Sequence, residues 1–279
     1  MSLPDAFQFS QHNLQDYADC PRRFQLRYVL GVTWPAVKAE PIAKMERRAW
    51  LGQRFHRMAH QHALGIPVER LAAGLKDEDL YRWWHNFLAT PPHNLPTSIR
   101  RAEASLSASL VGHRLVARYD LLAADPGERL VIVDWKIHRP RNPKRLLNRL
   151  QSVVYPYVLI EAGTAYNSGQ PVQPEQATMI YWFADAPGDP LTLTYDATRH
   201  AANHDRLVTL VHEIDARCDE NPEIWPLTDD VAHTCKFCTY RSLCDRGSVA
   251  GDVDDLDEDL EVDQELSLDL EQIAEIVFQ

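Results

Sequence analysis

No stretch of this 279-residue chain reaches the ~18 consecutive apolar residues that a membrane-spanning helix needs, which argues against a helical membrane protein. Met1 to Ser10 lack a basic segment followed by an apolar one, so export is not expected and a cytoplasmic protein is. The sequence has no Gly-x-x-x-x-Gly-Lys-Ser/Thr loop for a nucleotide. No internal repeat is visible. Lysine and arginine are missing altogether from Asp252 to Gln279, which holds twelve acids.

That last absence explains the charge. The tail carries the net charge of −11: without those twelve acids, 28 face 29 bases. Asp252 to Asp263 is mostly charge and is expected to be disordered. Leu266, Leu270, Ile273, Ile276 and Val277 recur at helical spacing and predict a short terminal helix. The tail reads either as a solubilising segment or as a mimic of nucleic-acid charge that occupies a basic channel or recruits a partner. In the remainder, bases cluster. His138, Arg139, Arg141, Lys144, Arg145 and Arg149 form one group, Arg22, Arg23 and Arg27 a second, and Arg47, Arg48, Arg54 and Arg57 a third. Such clusters suit a passing phosphate backbone.

The most informative stretch is Leu130-Val131-Ile132-Val133-Asp134-Trp135-Lys136. Four apolar residues predict a short buried strand that delivers a carboxylate and an ammonium group at its end. Arg114 to Leu122 predicts a second strand, carrying Asp120, and Asp125-Pro126-Gly127 between them predicts a hairpin turn. Asp120 and Asp134 then face each other. Two carboxylates at that distance repel unless a cation lies between them, and carboxylate or carbonyl oxygens suit magnesium or manganese. Beside such an ion Lys136 can hold a water or a phosphate oxygen, the apparatus of metal-assisted phosphodiester hydrolysis. An isolated Asp-x-Lys is also compatible with a surface ion pair.

Two helical patterns add candidates. Ala43 to Leu64 has an apolar stripe (Met45, Leu51, Phe55, Met58), with Gly52 one turn before His56, a candidate metal ligand. Asn142 to Leu159 places Gln151 and Tyr155 four apart, where an amide and a phenol can touch a phosphate or base without adding charge. Glu103 is a candidate third carboxylate.

Five cysteines complete the set. Cys235-x-x-Cys238 with Cys244 forms a tight cluster, while Cys20 stands alone near the start. Without a secretory signal, disulfides are not expected. Four thiolates can hold zinc or a [4Fe–4S] cluster, and spacing does not separate these, although zinc sites more often use two Cys-x-x-Cys knuckles. Cys218 ends a helical pattern and reads as a buried free thiol.

Taken in order, Gly52-x-x-x-His56, Asp120, Asp134-Trp135-Lys136 and Gln151-x-x-x-Tyr155 resemble the motif series of the PD-(D/E)XK nucleases, in the RecB/AddB-like branch that includes the iron–sulfur exonucleases associated with CRISPR adaptation. The resemblance spans residues 10 to 245. It implies that His56, Asp120, Asp134 and the Trp135 carbonyl hold Mg2+ or Mn2+, with Asp120, Asp134 and Lys136 catalytic. Lys136 positions the attacking water. Gln151 and Tyr155 contact DNA, and the basic run with Arg141, Lys144 and Arg145 lies where the DNA backbone would pass. It further implies a structural [4Fe–4S] cluster on Cys20, Cys235, Cys238 and Cys244 that staples the N-terminal part to the C-terminal part.

The expected fold is α/β (α+β), a restriction-endonuclease-like mixed sheet flanked by helices. Strands are expected at 102–110, 113–122, 130–136, 177–183 and 191–195, and helices at 9–29, 43–64, 77–88, 142–159 and 199–217. Residues 1–247 form the nuclease domain and 248–279 the acidic tail. Pro156 is expected to kink the helix after Tyr155. The expected activity is a metal-dependent DNA exonuclease, acting on single strands or DNA ends in repair, recombination or defence. The alternatives are a non-catalytic DNA-binding or scaffold subunit of a helicase–nuclease complex, and an iron–sulfur redox or sensor protein.

Overall fold

A computed structural model describes residues 2–4, 6–33, 40–220, 222–236 and 238–247, with side chains from 34 to 46 excluded. The acidic tail and its expected terminal helix lie outside the described residues.

The chain opens with β1 (Gln8–Phe9) and α1 (Gln11–Asp19). Ser10 caps α1 reciprocally with Asn13: its own N–H donates to Asn13 Oδ1 at 2.9 Å. Cys20 is extended and Pro21 follows at the first position of α2 (Pro21–Phe24), which continues as a π-helical turn, Gln25–Val29. The single helix expected over 9–29 is therefore broken at the cysteine. A proline lacks the N–H that would continue a helix but suits a helix start. Next come α3 (Glu40–Ala63), α4 (Val68–Ala72) and α5 (Glu78–Ala89), the last capped by Asp77, which accepts from Asp79 and Leu80 N–H at 3.1 and 3.2 Å.

The sheet follows: β2 (Ile99–Leu110), β3 (His113–Asp125) and β4 (Arg129–Lys136). Val111 and Gly112, both at positive φ (42° and 84°), join β2 to β3 in a two-residue hairpin turn. The Asp-Pro-Gly turn joins β3 to β4 as expected, with Gly127 at φ 84°. The helical segment expected over 142–159 is two helices. In α6 (Pro143–Asn148), capped by Asn142, Pro143 again takes the first position. Arg149 then leaves helical geometry (ψ 155°) before α7 (Gln151–Ala162) begins. Helix α7 runs through Pro156, so the interruption lies before Gln151 and not after Tyr155. The chain ends its described part with β5 (Ala177–Phe183), β6 (Leu191–Thr194) and α8 (Ala197–Glu220), followed by a short turn into the cysteine segment.

Six strands form one mixed sheet in which β4 and β5 pair in parallel, with α6 and α7 as the crossover. The other long pairs are antiparallel. Along one side of β3, β1 pairs with Arg114 and Leu115 while β4 pairs with Leu121 to Asp125. Among the described residues no strand pairs with that side of β3 between these two partners, and Asp120 lies there.

Alternation on β4 separates two cores. Leu130 and Ile132 join α1, α7 and α8 on one face. Val131, Val133 and Trp135 join Leu51 and Phe55 of α3 and Trp83 and Trp84 of α5 on the other. On β3 the residues facing the first core are Leu115, Ala117 and Tyr119, then Leu122 and Ala124. The alternation slips by one at Asp120. Opposite that slip, Glu103 of β2 is held at φ 52°, a left-handed conformation that costs a non-glycine residue of order 1 kcal/mol or more.

Candidate active site

The last ladder pair between β3 and β4 is Leu121 with Val133, so Asp120 and Asp134 are the next two residues out, where the strands part. The Trp135 N–H donates to Asp120 Oδ2 at 2.7 Å in place of a ladder acceptor. The other oxygen, Oδ1, lies 3.1 Å from His56 Nδ1, which α3 brings over the sheet. Asp134 points to the opposite side of β4 from Val133 and Trp135. There Gln151, the first residue of α7, donates to Oδ1 at 2.7 Å, and Lys136 Nζ is 3.0 Å from Oδ2. This oxygen has the lysine beside it but no well-aligned hydrogen bond in its buried position. The Lys136 ammonium also lies 5.9 Å from the ring centre of Tyr181, which stands opposite Asp134 on β5.

The two carboxylates sit in unequal environments. Burial pushes Asp120 up, but the charge and hydrogen bond of His56, the Trp135 N–H and Lys136 outweigh it and hold it below the usual carboxylate range. Burial pushes Asp134 up to about 6, Lys136 opposes the shift, and the neighbouring Asp120 adds to it. Opposed carboxylates whose protonation is drawn apart are a hallmark of sites that bind a cation or move a proton.

Not every expected residue is displayed as the sequence suggested. Gln151 and Tyr155 are buried, each 5% exposed, and do not lie on an open helix surface. Gln151 holds Asp134, and Tyr155 packs edge-on against Tyr119 at 5.2 Å. The reason is that α7 is buried from Gln151 through Leu159, so its polar residues point into the protein and need partners there. Glu103 pairs with Arg118 at 2.6 Å. Arg141 and Lys144 are exposed, and Arg145 is half-buried. Among the described residues no three His, Cys, Asp or Glu side chains already converge at metal-binding distance. Tyr181 and Ser152 were missed by the sequence reading. Their hydroxyls bond at 2.6 Å beneath Asp134, and the only sequence signal for Tyr181 was its place on an otherwise apolar strand next to β4.

The cysteine region lies where the two ends of the domain meet. Cys20 and Cys235 are buried, Cys238 and Cys244 are half-buried, and none of them forms a disulfide. Burial pushes up the thiols of Cys235 and Cys244, and the proximity of Cys20 adds to both shifts, so these three lie near one another. Cys218, expected to be buried, is half-buried against the main core. The ends are joined by protein contacts in their own right. Gln25 accepts from the Trp225 N–H at 2.9 Å and donates to the Pro222 and Glu223 carbonyls, the Arg22 N–H donates to the Pro226 carbonyl, and Tyr240 donates to the Val32 carbonyl. Phe24 stacks on Trp225 at 5.9 Å.

The sheet of this α/β fold parts beside two opposed acids and a lysine, with a histidine delivered by a flanking helix. The sequence matches the PD-(D/E)XK nuclease superfamily over residues 8–245, and the chain belongs to that superfamily. Among solved structures it is similar to the protein SSO0001 (12% identity, 88% of each chain covered, TM-score 0.41). It is also similar to a provisionally named exonuclease from Eubacterium rectale (10% identity, 85% of this chain and 93% of that one, TM-score 0.49). No curated protein matches the sequence. No described helix is long and apolar enough to cross a membrane.

Proposed function

We propose that this protein is a divalent-metal-dependent deoxyribonuclease, an exonuclease acting on single-stranded DNA or DNA ends in repair, recombination or defence. The observation that carries the reading is the placement of Asp120, Asp134 and Lys136 at the parting of β3 and β4. The donor set fits Mg2+ or Mn2+. Two carboxylates, Asp134 buried and Asp120 half-buried, are opposed across adjacent strands, Asp134 has an oxygen without an aligned hydrogen bond, and the His56 imidazole lies against Asp120. Asp120, Asp134, His56 and the Trp135 carbonyl would hold the ion. When bound, it supplies Lewis-acid polarisation of the phosphodiester and neutralises developing charge.

The remaining work falls to the chain. The Trp135 N–H and His56 keep Asp120 ionised and oriented. Gln151 fixes Asp134 Oδ1, which leaves Oδ2 directed toward Lys136. The Lys136 ammonium donates to the attacking water or to a phosphate oxygen, placing the nucleophile in line. Exposed Arg141, with Lys144 and Arg145, follows β4 directly and suits the DNA backbone on its way to the site. In this reading Gln151 serves DNA cleavage through Asp134, and Glu103 serves through its hold on Arg118 at the β2–β3 slip. Degradation of end-labelled single-stranded DNA with Mg2+ or Mn2+, present in the wild type and lost in Asp134→Ala, is the expected result. A folded wild type that never cleaves would refute it.

Cys20, Cys235, Cys238 and Cys244 suit a [4Fe–4S] cluster, with zinc as the alternative occupant. Support comes from the influence of Cys20 on the Cys235 and Cys244 thiols near the junction of the two chain ends, where a bound cluster would reinforce the Gln25–Trp225 contacts. Protein purified without air should be brown, with about four irons and four sulfides per chain. Zinc alone, with no visible absorption, would reassign the site.

A further inference from the structure

Helix α3 carries, on the side turned away from the sheet, a feature that the centre does not use. Trp50 is 53% exposed, although a large aromatic side chain is ordinarily well covered. The Arg54 guanidinium lies 5.3 Å from its ring centre. Trp50, Arg54 and Arg57 are spaced four and three apart, which sets them on one face of the helix, and Arg57 is exposed beside His56. Among the described residues Arg54 and Arg57 have no carboxylate partner, whereas Arg47 is held by Asp77 at 2.6 Å. Trp50 and His56 are six positions apart, about 9 Å along a helix, or roughly two to three steps of a stacked strand.

We propose that Trp50, with Arg54 and Arg57, is a binding platform for single-stranded DNA next to the centre. With Arg54 on one side of the indole, its open face stacks on an unpaired base, and the two arginines meet the flanking phosphates. A duplex keeps its base faces inside the stack and offers none to the tryptophan, so the platform selects unpaired strands. The surroundings favour a polyanion over a protein partner, since among the described residues the neighbours of Trp50 on this face are Arg47, Gln53, Arg54 and Arg57, none of them apolar. The choice of DNA as the strand rests on the nuclease reading; the platform itself does not.

The test is binding of a fluorescein-labelled 20-nucleotide oligo-dT and of a 20-base-pair duplex, measured by anisotropy with EDTA present. Trp50→Ala should weaken oligo-dT binding roughly 5- to 100-fold, the range of one lost base–aromatic stack, and leave duplex binding within about twofold. Trp50→Phe should restore most of the affinity. Trp50 is half-exposed, so both variants should keep the wild-type melting temperature within a few degrees. Oligo-dT binding unchanged in Trp50→Ala, or an equal loss for duplex, would overturn the platform whether or not the protein cleaves. A Trp50 effect in a wild type that never cleaves DNA would overturn the catalytic reading and leave the platform standing.

Discussion

Asp16 and Asp134 are equally buried, with side chains 6% exposed, and they are built in opposite ways. Asp16, on α1, is surrounded by donors: Arg23 Nε and Arg27 Nη1 each lie 2.9 Å away and the Tyr28 hydroxyl donates at 3.0 Å. Asp134 has one amine and one amide, and a second carboxylate stands on the next strand. Two arginines and a phenol more than balance one charge, so Asp16 ties α1 to the segment after it. A carboxylate left under-compensated beside another is a poor tie and a good place for a cation. The contrast separates a carboxylate that holds the fold from one that the fold holds ready for chemistry.

This comparison can be broken in several ways, beginning with activity. Asp134→Asn should lower DNA cleavage by about 10³-fold or more, the scale of losing a central electrostatic group, as read by single-turnover assays. The same variant, free of metal, should melt no lower than the wild type. Asp16→Ala should do the reverse. It leaves Arg23 and Arg27 facing each other without their shared partner, and chemical denaturation should show a loss of about 3 kcal/mol with the residual cleavage rate of the folded fraction unchanged.

The pH dependence sharpens the contrast. Asp134 has a folded-state pKa raised to about 6, so its charged form is the one the fold disfavours. The associated destabilisation is present above pH 6. It is relieved as pH falls through 6 toward the ordinary carboxylate value near 4, a gain of up to about 3 kcal/mol. Melting temperatures in EDTA should therefore contain a component that rises between pH 8 and pH 5, absent in Asp134→Asn. An identical profile in the two proteins would remove the claim that Asp134 is under-compensated. The smallest effect is expected at Gln151. Gln151→Ala should lower cleavage about 10-fold and raise the Mn2+ concentration needed for half-maximal rate, because Asp134 loses the donor that orients it. A fall in DNA affinity with no change in metal requirement would instead make Gln151 a DNA contact.

Much of this architecture was legible in the sequence, for reasons that can be named. Asp125-Pro126-Gly127 fixes the hairpin, and a hairpin of known turn fixes register, so Asp120 opposite Asp134 could be read directly. The β5 boundaries, 177–183, were readable from a continuous apolar run between turn signals. What stayed hidden depends on tertiary contacts. The slip at Asp120 needs Glu103 at φ 52°, and glutamate carries no sign of that conformation. The split between α6 and α7 falls at Arg149, which follows good helix formers, while Pro156 sits within a helix held by its surroundings. Gln151 and Tyr155 looked like surface residues because polarity on a helix ordinarily marks the outside. On a helix covered by the sheet, α1 and α8 that inference inverts, and a buried amide must find a partner, here Asp134. The junction made by Gln25 and Trp225 spans 200 residues of sequence and left no local trace.

The most direct test of the central claim is a comparison of wild type and Lys136→Ala on end-labelled single-stranded DNA with saturating Mn2+, with binding and cleavage measured on the same folded preparations. The account predicts wild-type affinity for the DNA and loss of cleavage in the variant. Cleavage by Lys136→Ala at the wild-type rate would contradict it.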